Sequence, residues 1–228
     1  MFPQRFTQGW NHAIDLDILG QVTPLSTASR LLDVGCGPYD VGTQILKRHP
    51  RVKLIALEAE QQPAPTMPRL CAIRADARQI PLGDHAVDIS YARFLLQHVP
   101  EPLQVLRGMA RVTRPGGSVA AMEVDEGAIL LHPQPPEVRQ QGEAFVASLA
   151  TAGKDRFLGR RLKNLLLQAG LKQVGVQAVT LTTEQVSMEA FWHLVMTRRG
   201  FSAEVPDWAK VPGAFGCIVL FLGWGTVS

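Results

Sequence analysis

The chain runs to 228 residues, of which 46% are hydrophobic and 19% charged, with a formal net charge of +3. That length suits one ordinary domain with a large core, and the scattered Lys and Arg lack the density of a nucleic-acid-binding stripe. The apolar run at 211–224 is shorter than the roughly 20 residues needed to cross a bilayer, and the chain starts Phe2-Pro3-Gln4-Arg5, without an apolar signal core. A cytoplasmic protein with no nucleic-acid and no membrane partner is expected. Cys36, Cys71 and Cys217 are odd in number, far apart and without metal-ligand spacing. Three buried free thiols and no metal are expected.

In chain order, 30–34 reads as a short buried strand, followed by a glycine-bearing turn and a helix at 41–48. The second strand is 53–57. After it, Gln61-Gln62-Pro63-Ala64-Pro65-Thr66-Met67-Pro68 holds three prolines and is expected to be irregular. Strands at 71–74 and 87–91 precede an amphipathic helix at 102–112, with Leu103, Leu106 and Ala110 inward. The fifth strand is 118–123. An apolar, proline-stiffened excursion at 129–136 leads into helices at 137–150 and 159–169, broken at Gly153. A strand at 173–181, a helix at 184–199 and a last strand at 215–223 complete the order. Strands alternating with helices imply an α/β fold, a doubly wound and mostly parallel sheet in a single domain over 1–228.

Asp33-Val34-Gly35-Cys36-Gly37 joins the first strand to the first helix. Glycine reaches positive φ cheaply and lets a ligand lie against bare backbone, and the following helix N-terminus favours an anionic group. Glu58 ends the second strand, about 20 residues on, where an acid can bind ribose hydroxyls. Two cofactors fit that much. The dinucleotide fingerprint needs glycine at position 40, where this chain has Asp40, and it usually has an apolar residue where Asp33 stands.

With an acid ahead of the loop, the segment resembles the class I S-adenosylmethionine-dependent methyltransferases of small-molecule type. Ile73-Arg74-Ala75-Asp76-Ala77 is similar to that family's third strand, and Leu82-Gly83-Asp84-His85-Ala86-Val87-Asp88-Ile89-Ser90-Tyr91-Ala92 to its approach to strand four. Phe94-Leu95-Leu96-Gln97-His98-Val99 resembles the helix that follows, and Arg114-Pro115-Gly116-Gly117-Ser118-Val119 the turn before strand five. The stretch 215–227, with Gly223-Trp224-Gly225, looks like the family's last strand. The resemblance implies a Rossmann-like sheet of seven strands, S-adenosylmethionine as cofactor, and a helical lid insertion at 128–160. It also implies a cap segment at 1–20, through Phe6, Trp10 and Ile14. One departure is Tyr39, where the family usually has a third glycine.

By the same resemblance, Asp33 orients the loop or the cofactor's amino group, and Gly35, Cys36 and Gly37 line its methionine portion. Glu58 takes both ribose hydroxyls. Asp76 meets the adenine amino group and the Ala77 amide a ring nitrogen. Bland readings stand beside these: a solvated carboxylate for Glu58, a turn cap for Asp76. Arg93, at the tip of strand four, binds the cofactor carboxylate or an acidic acceptor, or pairs with a neighbouring acid.

Methyl transfer needs alignment and exclusion of water, and a general base only when the acceptor loses a proton during attack. His98 has a suitable near-neutral pKa, although packing is the preferred reading. Glu123 and Asp125 are read as pointing alternately, so that one faces the pocket, with Glu123 placed to hold an amine acceptor. His132, Glu143 and His193 are read as exposed polar residues, and the Met188–Phe191–Trp192–Val195 stripe as core. The expected activity is methyl transfer to a small-molecule acceptor at oxygen, nitrogen or carbon. The alternatives are a cofactor-binding protein or cyclase on the same fold and, behind it, a nucleic-acid methyltransferase, for which the motifs are missing. Acceptor identity and oligomeric state stay open.

Overall fold

Leu31, Leu32 and Val34 are wholly buried in β1 (Arg30–Val34), as a strand covered by helices on both faces requires. The computed structural model describes residues 19–60 and 64–228. The cap segment's Phe6, Trp10 and Ile14 lie outside the described residues, as do 61–63 of the proline-rich crossover. The rest of that crossover, 64–67, has no regular structure, as three prolines dictate.

Six more strands join β1: β2 (Lys53–Glu58), β3 (Leu70–Arg74), β4 (Val87–Arg93), β5 (Thr113–His132), β6 (Lys172–Thr182) and β7 (Phe215–Thr226). Their order is β3-β2-β1-β4-β5-β7-β6. The first five run parallel, and β7 is antiparallel to both its neighbours. Strand periodicity sorts the core onto two faces. Leu31, Tyr91, Ala120 and Met122 pack with α1 (Asp40–Arg48) and with Phe191, Trp192 and Val195. Leu32, Ala92, Val119 and Ala121 pack with α2 (Pro102–Val112) and α4 (Leu158–Gln168). Pro102 opens α2 where a missing amide proton costs nothing.

Four expectations are corrected. Residues 129–132 are not a free excursion, because β5 continues past an irregularity between Val124 and Ile129 and pairs Ile129–His132 with Phe215–Ile218. The outer half of β7 would otherwise expose unpaired amides and carbonyls along that edge. The helix expected at 184–199 is broken. Ser187 takes φ 66° between Thr183–Val186 and Met188–Phe191, and a π turn (Trp192–Met196) and a 3₁₀ turn (Thr197–Arg199) follow. In place of a helix directly after β4 there is a single 3₁₀ turn, Leu96–His98, entered through Phe94 at φ 53°. Cys71 is exposed, because β3 is the sheet's border strand; Cys36 is half-buried and Cys217 buried.

Between β5 and α4 lies α3 (Pro136–Ala150), whose fifteen residues bury only Val138. It is the most weakly anchored of the long helices.

Candidate cofactor and acceptor site

The tips of β1 and β2 lie side by side, Val34 opposite Leu57. The Gly35 and Cys36 amides both donate to the Leu57 carbonyl, at 2.8 and 3.1 Å, which folds the loop back over the strand ends. Gly35 and Gly37 take φ 69° and 55°. A Cβ on Gly35 would stand 2.7 Å from Leu95 Cδ1, so this position needs glycine for space as well as for φ. Beyond Gly37 the space is open. The Gly37 amide donates to Glu58 Oε2 at 2.9 Å, and the Ala59 amide to Oε1 at 2.8 Å. The Glu60 amide adds a long contact to Oε1 at 3.4 Å; of the about four acceptor positions of an ionised carboxylate, one is left free, on Oε2.

Asp33 is buried behind this ledge. Burial pushes its pKa up to about 7, against the pull of the Arg93 guanidinium and with a further push from Glu58. Burial, Asp33 and Glu58 also push the Cys36 thiol far up, so it is no nucleophile. Tyr39, at the N-cap of α1, holds φ 64°. That is the conformation a glycine would adopt freely, which explains why a third glycine is usual there.

On the neighbouring strand tip, Asp76 caps the 3₁₀ turn Ala77–Gln79 through the Arg78 amide and pairs with the Arg78 guanidinium at 2.6 Å. The turn-cap geometry is thus present, and hydrogen bonds from Arg78 hold its carboxyl below the usual range. Ala77 is buried beside it. Arg93 ends β4 with its guanidinium over the Phe94 ring, 4.6 Å from the centroid. His98 is half-buried at the end of the turn that follows.

Glu123 and Asp125 do not point alternately. Residues two apart on a strand share a face, and both turn toward the α2/α4 side. Glu123 is wholly buried and accepts the Leu96 amide at 2.7 Å. Burial lifts its pKa to about 8, opposed by the amides of Leu96, Gln97 and Leu95. Asp125 accepts the Arg160 amide at 3.1 Å in the first turn of α4, and its guanidinium at 2.6 and 2.7 Å. Both acids therefore hold backbone in place. His132, Glu143 and His193 are exposed, and Phe191, Trp192 and Val195 are core, as expected.

Sequence reasoning missed a buried trio. Glu126 Oε1 pairs with Arg156, and Oε2 with Arg199 at 2.6 Å; all three side chains are 5–6% exposed. Charged residues in irregular segments read as surface, and only the fold brings these together. They stand where two cavities meet. The larger, about 960 Å³ counting its open mouth, lies beneath α3 and is walled by Ile129, Leu131, Val138, Val146 and Phe157, with Arg199 at its floor. The smaller, about 430 Å³ on the same measure but with only about 30 Å³ open to a water-sized group, runs from Arg93, Phe94 and Gln97 to Arg156 and Arg199.

A bare, acid-headed glycine ledge with a carboxylate at the next strand tip, in this strand order, is a Rossmann-like arrangement. Residues 32–121 match the family model described as a methyltransferase domain. Among curated proteins, the chain is 28% identical over 170 residues to malonyl-[acyl-carrier protein] O-methyltransferase of Pseudescherichia vulneris, covering 72% of this chain and 61% of that protein. It is 31% identical over 147 residues to 27-O-demethylrifamycin SV methyltransferase of Amycolatopsis mediterranei, covering 58% and 52%. A solved structure, a putative methyltransferase from an antibiotic biosynthesis pathway of Anabaena variabilis, superposes with a TM-score of 0.68 at 15% identity, covering 94% and 97%. The chain spans about half to three-fifths of the length of the curated relatives it first matches. The chain is thus similar to methyltransferases through residues 32–121 in sequence and over nearly its whole length in fold.

Proposed function

We propose that this chain transfers a methyl group from S-adenosylmethionine to a small organic acceptor in the cytoplasm. The observation that carries the reading is the Gly37–Glu58 hydrogen bond, which fixes the acid at the rim of a bare glycine ledge. When bound, S-adenosylmethionine supplies an electrophilic methyl on a sulfonium. The residues fit that group: Glu58 retains an acceptor position on Oε2 for a ribose hydroxyl, and Asp33, poised near neutrality, meets a cationic ligand as a carboxylate. Asp76 and Ala77 form the adenine side of the site, and Asp76 shares its carboxylate with Arg78 there. Glu123 is a positioning residue, holding the turn that carries Gln97 and His98. Residues 128–160 act as the lid, with α3 closing over the larger cavity to exclude water.

Incubation with S-adenosylmethionine and a broad acceptor panel, read as formation of S-adenosylhomocysteine, tests the activity. Nicotinamide dinucleotides bind no tighter than millimolar, since Asp33 and Asp40 stand where their pyrophosphate would approach; sub-millimolar binding would reverse the choice of cofactor. The buried Tyr39 ring at the usual glycine position favours one second reading, a cofactor-binding protein or cyclase that does not transfer the methyl. Tight cofactor binding with no demethylated product across the whole panel would select it.

A further inference from the structure

We infer that the acceptor is an apolar carboxylic acid, its carboxylate seated at Arg156 and Arg199 and its body in the cavity beneath α3; this rests on the methyltransferase reading. Two guanidiniums, each on a side chain 6% exposed, share the single carboxylate of Glu126. The remaining bond of Arg199 is to a neutral carbonyl, that of Val195. Arg156 lies with its guanidinium carbon 5.3 Å from the Phe145 ring centroid. The nearby Glu123 carboxyl also feels Arg156 but is held protonated by burial up to about pH 8, so below that pH one positive charge in the trio is unmatched, in a buried setting where an unmatched charge is costly. Burial is the main push that lowers the Arg199 pKa; Glu126 opposes it, and the Arg156 charge adds a smaller push in the same sense as burial.

Gln97, which lines the smaller cavity, is 1% exposed and its side-chain oxygen has no hydrogen-bond partner among the described residues. A side-chain amide oxygen only accepts, so a donor such as water completes it and a carboxylate does not; the anion's partners in this cavity are the guanidiniums of Arg156 and Arg199. The smaller cavity runs from this cluster to Arg93 and Phe94, at the strand tip next to the cofactor ledge. An anionic head in it would lie beside the cofactor, while the larger cavity offers an apolar wall to the rest of the molecule.

Charge and shape favour a carboxylate over a phosphate monoester. A planar monoanion matches the guanidinium fork and neutralises a single excess charge, whereas a dianion would overcompensate it. A carboxylate is also its own nucleophile and needs no base, in a site whose Asp125 is tied to Arg160 and whose Glu123 gives one oxygen to the Leu96 amide.

Calorimetry on the full chain, saturated with S-adenosylhomocysteine, compares octanoate, cinnamate and naphthoate each with its own primary amide. At least one acid is expected to bind about tenfold or more tighter than its amide. That preference should shrink to within about threefold in Arg156→Met or Arg199→Met, each of which leaves Glu126 one partner. The acid–amide comparison in the unaltered protein needs no variant to fold. Equal binding of every pair, tighter binding of the amides, or no binding of any acid while the cofactor binds overturns the inference and leaves the methyltransferase reading in place. Failure to bind the cofactor at all sinks that reading instead, whatever the acids do.

Discussion

Glu123 at the end of β5 accepts the backbone amide of Leu96 at 2.7 Å and so fixes the turn after β4 to the neighbouring strand. The bond joins two segments 27 residues apart in sequence, and the acid that makes it is wholly buried.

Glu123 makes stability fall as pH rises. Its pKa climbs from about 4.5 in the unfolded chain to about 8 in the fold, so the folded protein keeps a proton that the unfolded chain releases. The contribution is complete below the unfolded value and is lost as pH climbs through the folded one. Asp33 acts in the same sense between 3.8 and about 7. Glu123→Gln should therefore lose less stability than the parent between about pH 5.5 and 8.5, measured by urea unfolding. Equal losses in the two proteins would show that Glu123 is ionised in the fold.

Glu58→Ala should weaken S-adenosylmethionine binding by about tenfold to a hundredfold, the worth of a charge-assisted contact of roughly 1.5–3 kcal/mol. Calorimetry on a variant shown to be folded measures it. Unchanged affinity would remove Glu58 from the ribose.

At Tyr39, two substitutions separate strain from packing. Tyr39→Ala and Tyr39→Gly both delete the buried ring, but only glycine relaxes at φ 64°. The glycine variant should be the more stable of the two by about 1 kcal/mol, a reversal of the usual order in helices. If alanine is equal or better, the backbone there is not strained.

Glu126→Gln leaves two buried guanidiniums facing each other without a carboxylate. Breaking a buried ion pair from one side costs about 3–5 kcal/mol, and a loss of that order is expected in urea unfolding. A loss below about 1 kcal/mol would mean that water reaches the trio and screens it.

Hydrogen exchange across 128–160 should slow on adding cofactor and an acceptor together, by more than in the sheet strands. The expectation rests on α3, which buries one residue in fifteen. Protection equal to that of the strands without ligand would make the cavity preformed and the lid idea wrong.

The glycine loop and the strand tip beside it were legible because their signals are local. Asp33, Gly35, Gly37 and Glu58 sit at strand tips that hydrophobic runs delimit, and the bounds of β1 and α2 follow from pattern alone. The cluster of Glu126, Arg156 and Arg199 depends on contacts between distant segments. Nothing near Arg156 or Arg199 in sequence points to Glu126, 30 and 73 residues away. The extension of β5 was hidden for a related reason, since prolines just beyond it read as irregular chain while the partner edge of β7 lies some 85 residues on. Ser187 breaks a helix that its neighbours' apolar spacing predicts: at φ 66° it starts a new helical turn as its N-cap, its hydroxyl accepting the Ala190 amide at 3.2 Å.

The continuation of β5 alongside β7 gives the larger cavity two walls of unequal stiffness. Ile129 and Leu131 belong to a hydrogen-bonded ladder, whereas Val138 and Val146 ride on a helix with little anchorage. Added bulk in an occupant is therefore taken up by displacement of the helix while the sheet stays fixed. Exchanging α3 residues should retune which molecules the cavity accepts, and the Gly37–Glu58 ledge would not feel the change.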